Sequence, residues 1–192
     1  MTKKQQVTQV DDSKKQMIIR LAFEVFYQHG FHATGVDRLL EDSGISKRTM
    51  YKYFRSKEDL IAATIAHYQK VTFDYVLEEI SKRAKTPREK ILLIFDIKRE
   101  ALERGNFNGC FAINAKLEYE GKHSLIENSC DQFNTALESF IAQLCMEAKC
   151  IKPLVMAQQI MILLNGAIVF GQSTRNSQIP NIAKEMANSL MG

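Results

Sequence analysis

Apolar residues recur with a helical period along most of this chain, and the breaks between the periodic stretches carry glycine, proline or capping hydroxyls. A disordered tail is expected up to about Asp12. Ser13 with Gln16 three residues on reads as a capping box and opens a first helix, whose stripe of Ile18, Leu21, Ala22, Val25 and Phe26 stops at Gly30. Phe31 is expected to tuck back onto that stripe. Thr34 with Asp37 repeats the capping logic for a short second helix that buries Val36, Leu39 and Leu40 and ends at Ser43-Gly44. Ser46 is the N-cap candidate of a third helix over 46–53, with Met50 and Phe54 turned inward and Lys47, Arg48, Tyr51 and Lys52 outward. Two short helices joined by a glycine-containing turn make a helix-turn-helix. Ser56 with Asp59 caps a fourth helix, expected to run to Ile80 as the connector between the two halves of the chain.

The segment Ser81–Pro87 is a polar break into the second half. Helices are then predicted over about 88–104, 109–119, 123–149, 153–173 and 179–191, separated at Gly105-Asn106, Gly121, Lys152-Pro153 and Ile179-Pro180. The fold class that follows is all-α: a three-helix DNA-binding domain over 13–57, the fourth helix (57–80) as connector, and a larger helical domain over 81–192. Composition agrees, since the 192 residues include three prolines, nine glycines and no tryptophan.

Charge changes the picture more than composition does. The net charge is +4, but residues 1–57 hold eleven Lys/Arg against six Asp/Glu, so all the positive excess lies in the first third. Ser43–Lys57 carries Lys47, Arg48, Lys52, Arg55 and Lys57 with no acid, a footprint suited to a polyanion. No signal peptide is read in the polar N-terminus, and the window Met161–Gly171, broken by Asn165 and Gly166, falls short of the roughly 20 residues of a span, so a cytoplasmic protein with no membrane partner is expected. The four cysteines have no paired spacing near histidines, and His29, His32, His67 and His123 are scattered. No metal, no cofactor and no catalytic constellation is predicted.

A helix entering the major groove must show donors to phosphates and a few side chains to base edges while its other face is held by the domain core. Residues 46–54 meet both demands. Lys47 and Arg48 stand in the first turn, where bases are read, and Arg can grip guanine with two hydrogen bonds. Tyr51, Lys52 and Tyr53 are better placed for phosphates. Thr34 could offer a hydroxyl at the second helix and Lys57 a cation at the fourth. The stretch from Ile18 to Ile65 resembles the tetracycline-repressor (TetR) family of regulators, with Phe26, Gly30, Phe31, Thr34, Val36, Gly44, Ser46, Thr49, Tyr51, Phe54, Lys57 and Leu60 in the family's register. The resemblance implies phosphate contacts from Thr34, Thr49, Tyr51, Tyr53 and Lys57, with Lys47 and Arg48 nearest the bases. Gly35 and Arg48 depart from the usual pattern, and a long cation at position 48 should alter base preference.

In the second half, the helix from Pro153 to Ser173 is apolar almost all round and needs cover on two sides. A second copy is the expected cover. Helices 153–173 and 179–191, the latter with Ile182, Ala183, Met186 and Leu190, would form the seam of a homodimer, as the resemblance also implies, and the operator should be a near-palindrome. The resemblance further implies a small-molecule effector pocket, for which the candidates are Phe95, Cys110, Phe111, Asn114, Phe133, Leu137, Met161 and Asn165, with Phe107 and Phe170 beside them. Cys110, at the expected N-terminus of the sixth helix, offers an alternative: a redox or electrophile sensor, its thiolate favoured by the helix dipole. Outside the regulator class stands a helical enzyme or carrier with a DNA-binding appendage.

Overall fold

The computed structural model describes residues 3–105 and 107–192, with side chains from residue 13 onward. Among them nine helices and no strand occur: α1 (Lys3–His29), α2 (Val36–Leu40), α3 (Lys47–Tyr53), α4 (Lys57–Arg83), α5 (Pro87–Glu103), α6 (Phe111–Tyr119), α7 (Ser124–Glu147), α8 (Pro153–Ser173) and α9 (Ile179–Leu190). The all-α architecture is as the periodicity predicts. The larger differences are at two starts and one end. α1 begins at Lys3 rather than Ser13, because the lysines and glutamines of its first turns are good helix formers with no proline or glycine to stop them. α2 is capped by Gly35, not Thr34, and α4 runs through Ser81–Arg83, where i,i+4 pairs of Lys82 with Glu78 and of Arg83 with Glu79 support its last turn. The expected break at Asn106 lies outside the described residues.

The helices form two compact units. One takes the chain up to Lys70 together with Phe111–Asp131; the other takes Val71–Cys110 and Gln132–Gly192. The division is interleaved rather than a single cut. The chain changes unit within α4, just before α6, and within α7.

In the first unit, Ile18, Ala22 and Phe26 of α1, Leu39 of α2, Met50 of α3 and Leu60, Ile61 and Ile65 of α4 are fully buried, together with Phe111 of α6. The Phe111 ring lies 4.8 Å from that of Phe31, 5.1 Å from Phe23, 5.5 Å from Tyr68 and 6.2 Å from Tyr27, centroid to centroid. Phe31 also stacks on Phe26 at 5.4 Å, the fold-back that the sequence predicts. Tyr119, at the far end of α6, is buried, and desolvation pushes its phenol up to about 12.

In the second unit, α5 opens with a capping box: Thr86 accepts from the Glu89 N–H, Glu89 returns a carboxylate to the Thr86 N–H, and Pro87 takes the first position. α9 packs on α5 and α8. Lys184 pairs with Asp96 at 2.7 Å, and the Arg88 guanidinium donates to the side chain and carbonyl of Asn188. Gly171 suits this close packing, because a Cβ there would lie 2.9 Å from Leu102 Cδ1 and 3.2 Å from the Asn176 carbonyl oxygen. α8 buries Met156, Ala157, Ile160, Leu164, Ala167 and Ile168 but leaves Val155, Ile162, Val169 and Phe170 exposed. At 21 residues the full helix is long and apolar enough to cross a bilayer by length and composition, contrary to the short window read from the sequence. Somewhat under half of its most apolar stretch is buried.

Truncating the ring that joins α6 to the first unit should be costly. Phe111→Ala is expected to destabilise the protein by roughly 3–5 kcal/mol, read as a lower urea midpoint; a loss under about 1 kcal/mol would mean that the aromatic cluster closes without it.

Candidate nucleic-acid interface and effector cavity

The turn between α2 and α3 is built by local chemistry. Asp42 and Gly44 take left-handed backbone at φ 55° and 68°, and Ser43 Oγ donates to the Leu40 carbonyl at 2.7 Å while accepting the Ile45 N–H at 3.1 Å. Ser46 caps α3, accepting the Thr49 N–H at 3.1 Å, with the two hydroxyls 2.9 Å apart. Met50 is fully buried and Phe54 nearly so, which fixes the inner face of α3. Lys47, Arg48, Tyr51 and Lys52 are exposed on the other face, and Thr49 and Tyr53 are half-buried at its edges. The structure therefore gathers on one short helix all seven of the site residues expected from 46 to 53.

The cations of that face are not equivalent. Lys47 Nζ sits 2.6 Å from Asp37 of α2, and that hydrogen bond, with the charge behind it, raises its pKa. Both partners are exposed, so the pair contributes little and opens readily to a competing phosphate. Lys52 lies over the Tyr53 ring at 5.1 Å. Arg48 is exposed and enters no hydrogen bond or ion pair among the described residues.

Two residues expected at phosphates have partners within the fold. Thr34 is fully buried, and its hydroxyl donates to the Gly30 carbonyl at 2.7 Å. Lys57 Nζ donates to the carbonyls of Phe31 at 2.7 Å and Thr34 at 3.0 Å, closing the loop that leads into α2. That loop is also gripped from α6, in a way no local pattern announced. The Glu118 carboxylate accepts the N–H groups of Phe31 at 3.1 Å and His32 at 2.7 Å, His32 Nε2 meets the Glu118 carbonyl at 2.8 Å, and the His32 ring stacks on Tyr119 at 4.4 Å.

The second unit contains a small apolar cavity of about 20 Å³ lined by Thr72, Phe73, Val76, Ile94, Lys98, Phe133, Leu137 and Leu164. Of the residues expected at a pocket, Phe133 and Leu137 line it. Phe95 and Met161 are core residues of the same unit, Asn165 is half-buried on α8, and Cys110 is buried just before α6. Phe111 and Asn114 belong with α6 to the first unit, where the Phe111 ring is enclosed by the aromatic cluster. Phe107 lines a separate open groove with Leu102, Gln172 and Arg175. Lys98 is the lining residue that the sequence reading missed. Withdrawal from water lowers its pKa, opposed in part by the neighbouring Cys110 sulfur. Burial and the adjacent Cys150 thiol push Cys145 up to about 12, which makes it a poor nucleophile.

Residues 18–64, which span α2, α3 and the parts of α1 and α4 that hold them, match the family model described as bacterial regulatory proteins, tetR family. The chain belongs to the TetR family. It is 27% identical over 208 residues to the uncharacterized HTH-type transcriptional regulator YuxN of Bacillus subtilis, covering 93% of this chain and 70% of that protein. It is 30% identical over 105 residues to the fatty acid metabolism regulator protein of the same organism, covering 55% of this chain and 52% of that protein. Its fold is that of the reduced form of Escherichia coli NemR, with a TM-score of 0.86 at 18% identity over 94% of this chain and 97% of the other. A TetR-family regulator from Cytophaga hutchinsonii matches at 0.85 and 18%, over 94% of each chain. As a TetR-family member the chain is a DNA-binding transcriptional regulator.

Lys57 gives this geometry a direct test. Lys57→Met leaves two loop carbonyls without their charged donor and is expected to cost about 1–3 kcal/mol in urea unfolding. Unchanged stability with a flatter salt dependence of DNA binding would instead return Lys57 to the phosphates.

Proposed function

We propose that this regulator is a homodimer that holds a near-palindromic operator in its unliganded form, represses from it, and lets go when a small molecule enters the second unit. It acts in the cytoplasm, where its DNA is. One observation carries the reading: α3 is locked from within and presents its cations outward, while α6 grips the loop that feeds α2 and α3. Arg48 and Lys47 read bases, and Thr49, Tyr51, Lys52 and Tyr53 seat the helix on phosphates. The bared stripe of Val155, Ile162 and Val169 on α8, with Ile182, Met186 and Leu190 on α9, supports a two-fold seam made of the same surface twice.

The cavity supports ligand control by its place along the chain. Thr72 and Phe73 are among the first residues of the second unit on α4, and Phe133 among the first on α7, so a ligand that spreads them acts on two of the helices that continue into the reading unit. Release then requires only that the ligand prefer the form that fits the operator less well. α6 joins α4 as a transmitter in this scheme, through Glu118.

Selection of bound sequences from a random DNA pool should recover a near-palindrome, and a single unrepeated half-site would refute the dimeric mode. On the recovered operator, Lys52→Ala should weaken binding about equally for all variants and reduce the salt slope by about one; a loss confined to one base position would make Lys52 a reader. Met186→Glu should shift the protein from dimer to monomer in light scattering, and an unchanged dimer would move the seam elsewhere. Ligand control is tested by whether the small-molecule fraction of a cell extract frees the operator in a gel shift.

A further inference from the structure

The four-helix cavity of the second unit is apolar in all but two lining side chains. Val76 and Phe73 come from α4, Ile94 from α5, Phe133 and Leu137 from α7 and Leu164 from α8; the exceptions are Thr72 and Lys98. A cation in such surroundings is costly unless an anion or a set of hydrogen bonds meets it. The acids of Lys98's own helix are committed elsewhere: Glu89 to the N–H groups of Lys85 and Thr86, Asp96 to Lys184, Glu100 to Arg83, and Glu103 to Arg99. Among the described residues Lys98 enters no ion pair and no hydrogen bond. Its one electrostatic neighbour is the Cys110 sulfur, and burial disfavours its charged form.

We infer that Lys98 is the anchor for the effector, and that the effector is an apolar monocarboxylate whose hydrocarbon or aryl body opens the cavity against Phe73, Phe133, Leu137 and Leu164. This rests on the ligand-controlled reading above and deepens it by naming the ligand's chemistry. A single lysine neutralises a single negative charge; a phosphate monoester would carry a second one into a cavity with no second cation to meet it. Apolar bulk is demanded by the lining, and because the cavity is about 20 Å³ when closed, entry must part the side chains that α4 and α7 contribute. Charge pairing at Lys98 and displacement of Phe73 and Phe133 therefore occur in the same event, which links recognition to release.

The probes are octanoate, octan-1-ol and octylammonium, and the same three head groups on a 4-phenylbutyl body, titrated into the full-length protein by calorimetry and into its DNA complex by gel shift. The carboxylates are expected to bind about tenfold more tightly than the alcohols, and the ammonium compounds to bind worst. Lys98→Met should bring carboxylate and alcohol to within about twofold, while Lys98→Arg keeps the preference, which separates loss of charge from loss of fold. Equal binding of alcohol and carboxylate to the wild type, or a preference that survives Lys98→Met, overturns the carboxylate assignment. If the alcohols free the DNA as well as the carboxylates do, or an extract fraction frees it while all six probes are inert, ligand control stands and Lys98 loses its role. If neither probes nor extract bind or act, ligand control falls with it.

Discussion

The burial of Phe111 is the constraint from which most of the architecture follows. Its ring lies within 6.2 Å of four others, all from the first seventy residues, so α6 folds with the DNA-reading unit although the chain reaches it only after α5. Close-packed interiors do not absorb displacement smoothly. A shift of α6 must drag Phe31 with it or open a cavity, and Phe31 begins the loop that leads into α2. Glu118 adds direction to this coupling, because its two oxygens take successive N–H groups of that loop. Gly30 allows the approach: its left-handed backbone turns the chain, and a Cβ there would stand 3.3 Å from the same carboxylate.

Electrostatics in the reading unit divide between building and binding. Lys57 is spent on two loop carbonyls and Thr34 on a third, so the entry to the helix-turn-helix is fixed before DNA arrives. Lys47 and Arg48 on α3 stand exposed. Lys47 holds an exposed acid that a phosphate can replace, and Arg48 holds nothing among the described residues. Preorganised backbone behind exposed cations lets binding energy go to the contact rather than to ordering the helix.

How far the sequence disclosed this depends on the range of the interaction concerned. Prolines at 87, 153 and 180 and the hydroxyls Ser46 and Ser56 punctuate the chain, so most helices from α3 onward lie within a few residues of their expected bounds. Met50 and Phe54 were legible as the inner face of α3 because helical period alone assigns them. α6 was misplaced for the opposite reason: FAINAKLEY is apolar whichever unit covers it, and nothing in its period says which. The Glu118 bonds span 86 and 87 residues, and a glutamate on an amphipathic helix reads as solvated. Lys98 was passed over by the same rule, since only the convergence of α4, α7 and α8 on α5 makes it a lining residue of a cavity.

The apolarity of α8 is where composition and structure pull hardest against each other. By length the helix could span a bilayer, yet a lipid-facing helix must be apolar at every uncovered position, and Gln158, Gln159 and Gln172 are exposed. α9, its neighbour, has 12 residues and is too short to cross. Most of what remains uncovered follows a stripe, with Leu154 and Phe170 beside it: Val155, Ile162 and Val169 recur every seven residues, and Ile182, Met186 and Leu190 every four. Gly166 lies exposed between Ile162 and Val169, with nothing within 4 Å of where a Cβ would stand. A stripe flanked by amides, with a gap at its middle, suits another helix pair better than lipid, which is what the proposed two-fold seam would supply.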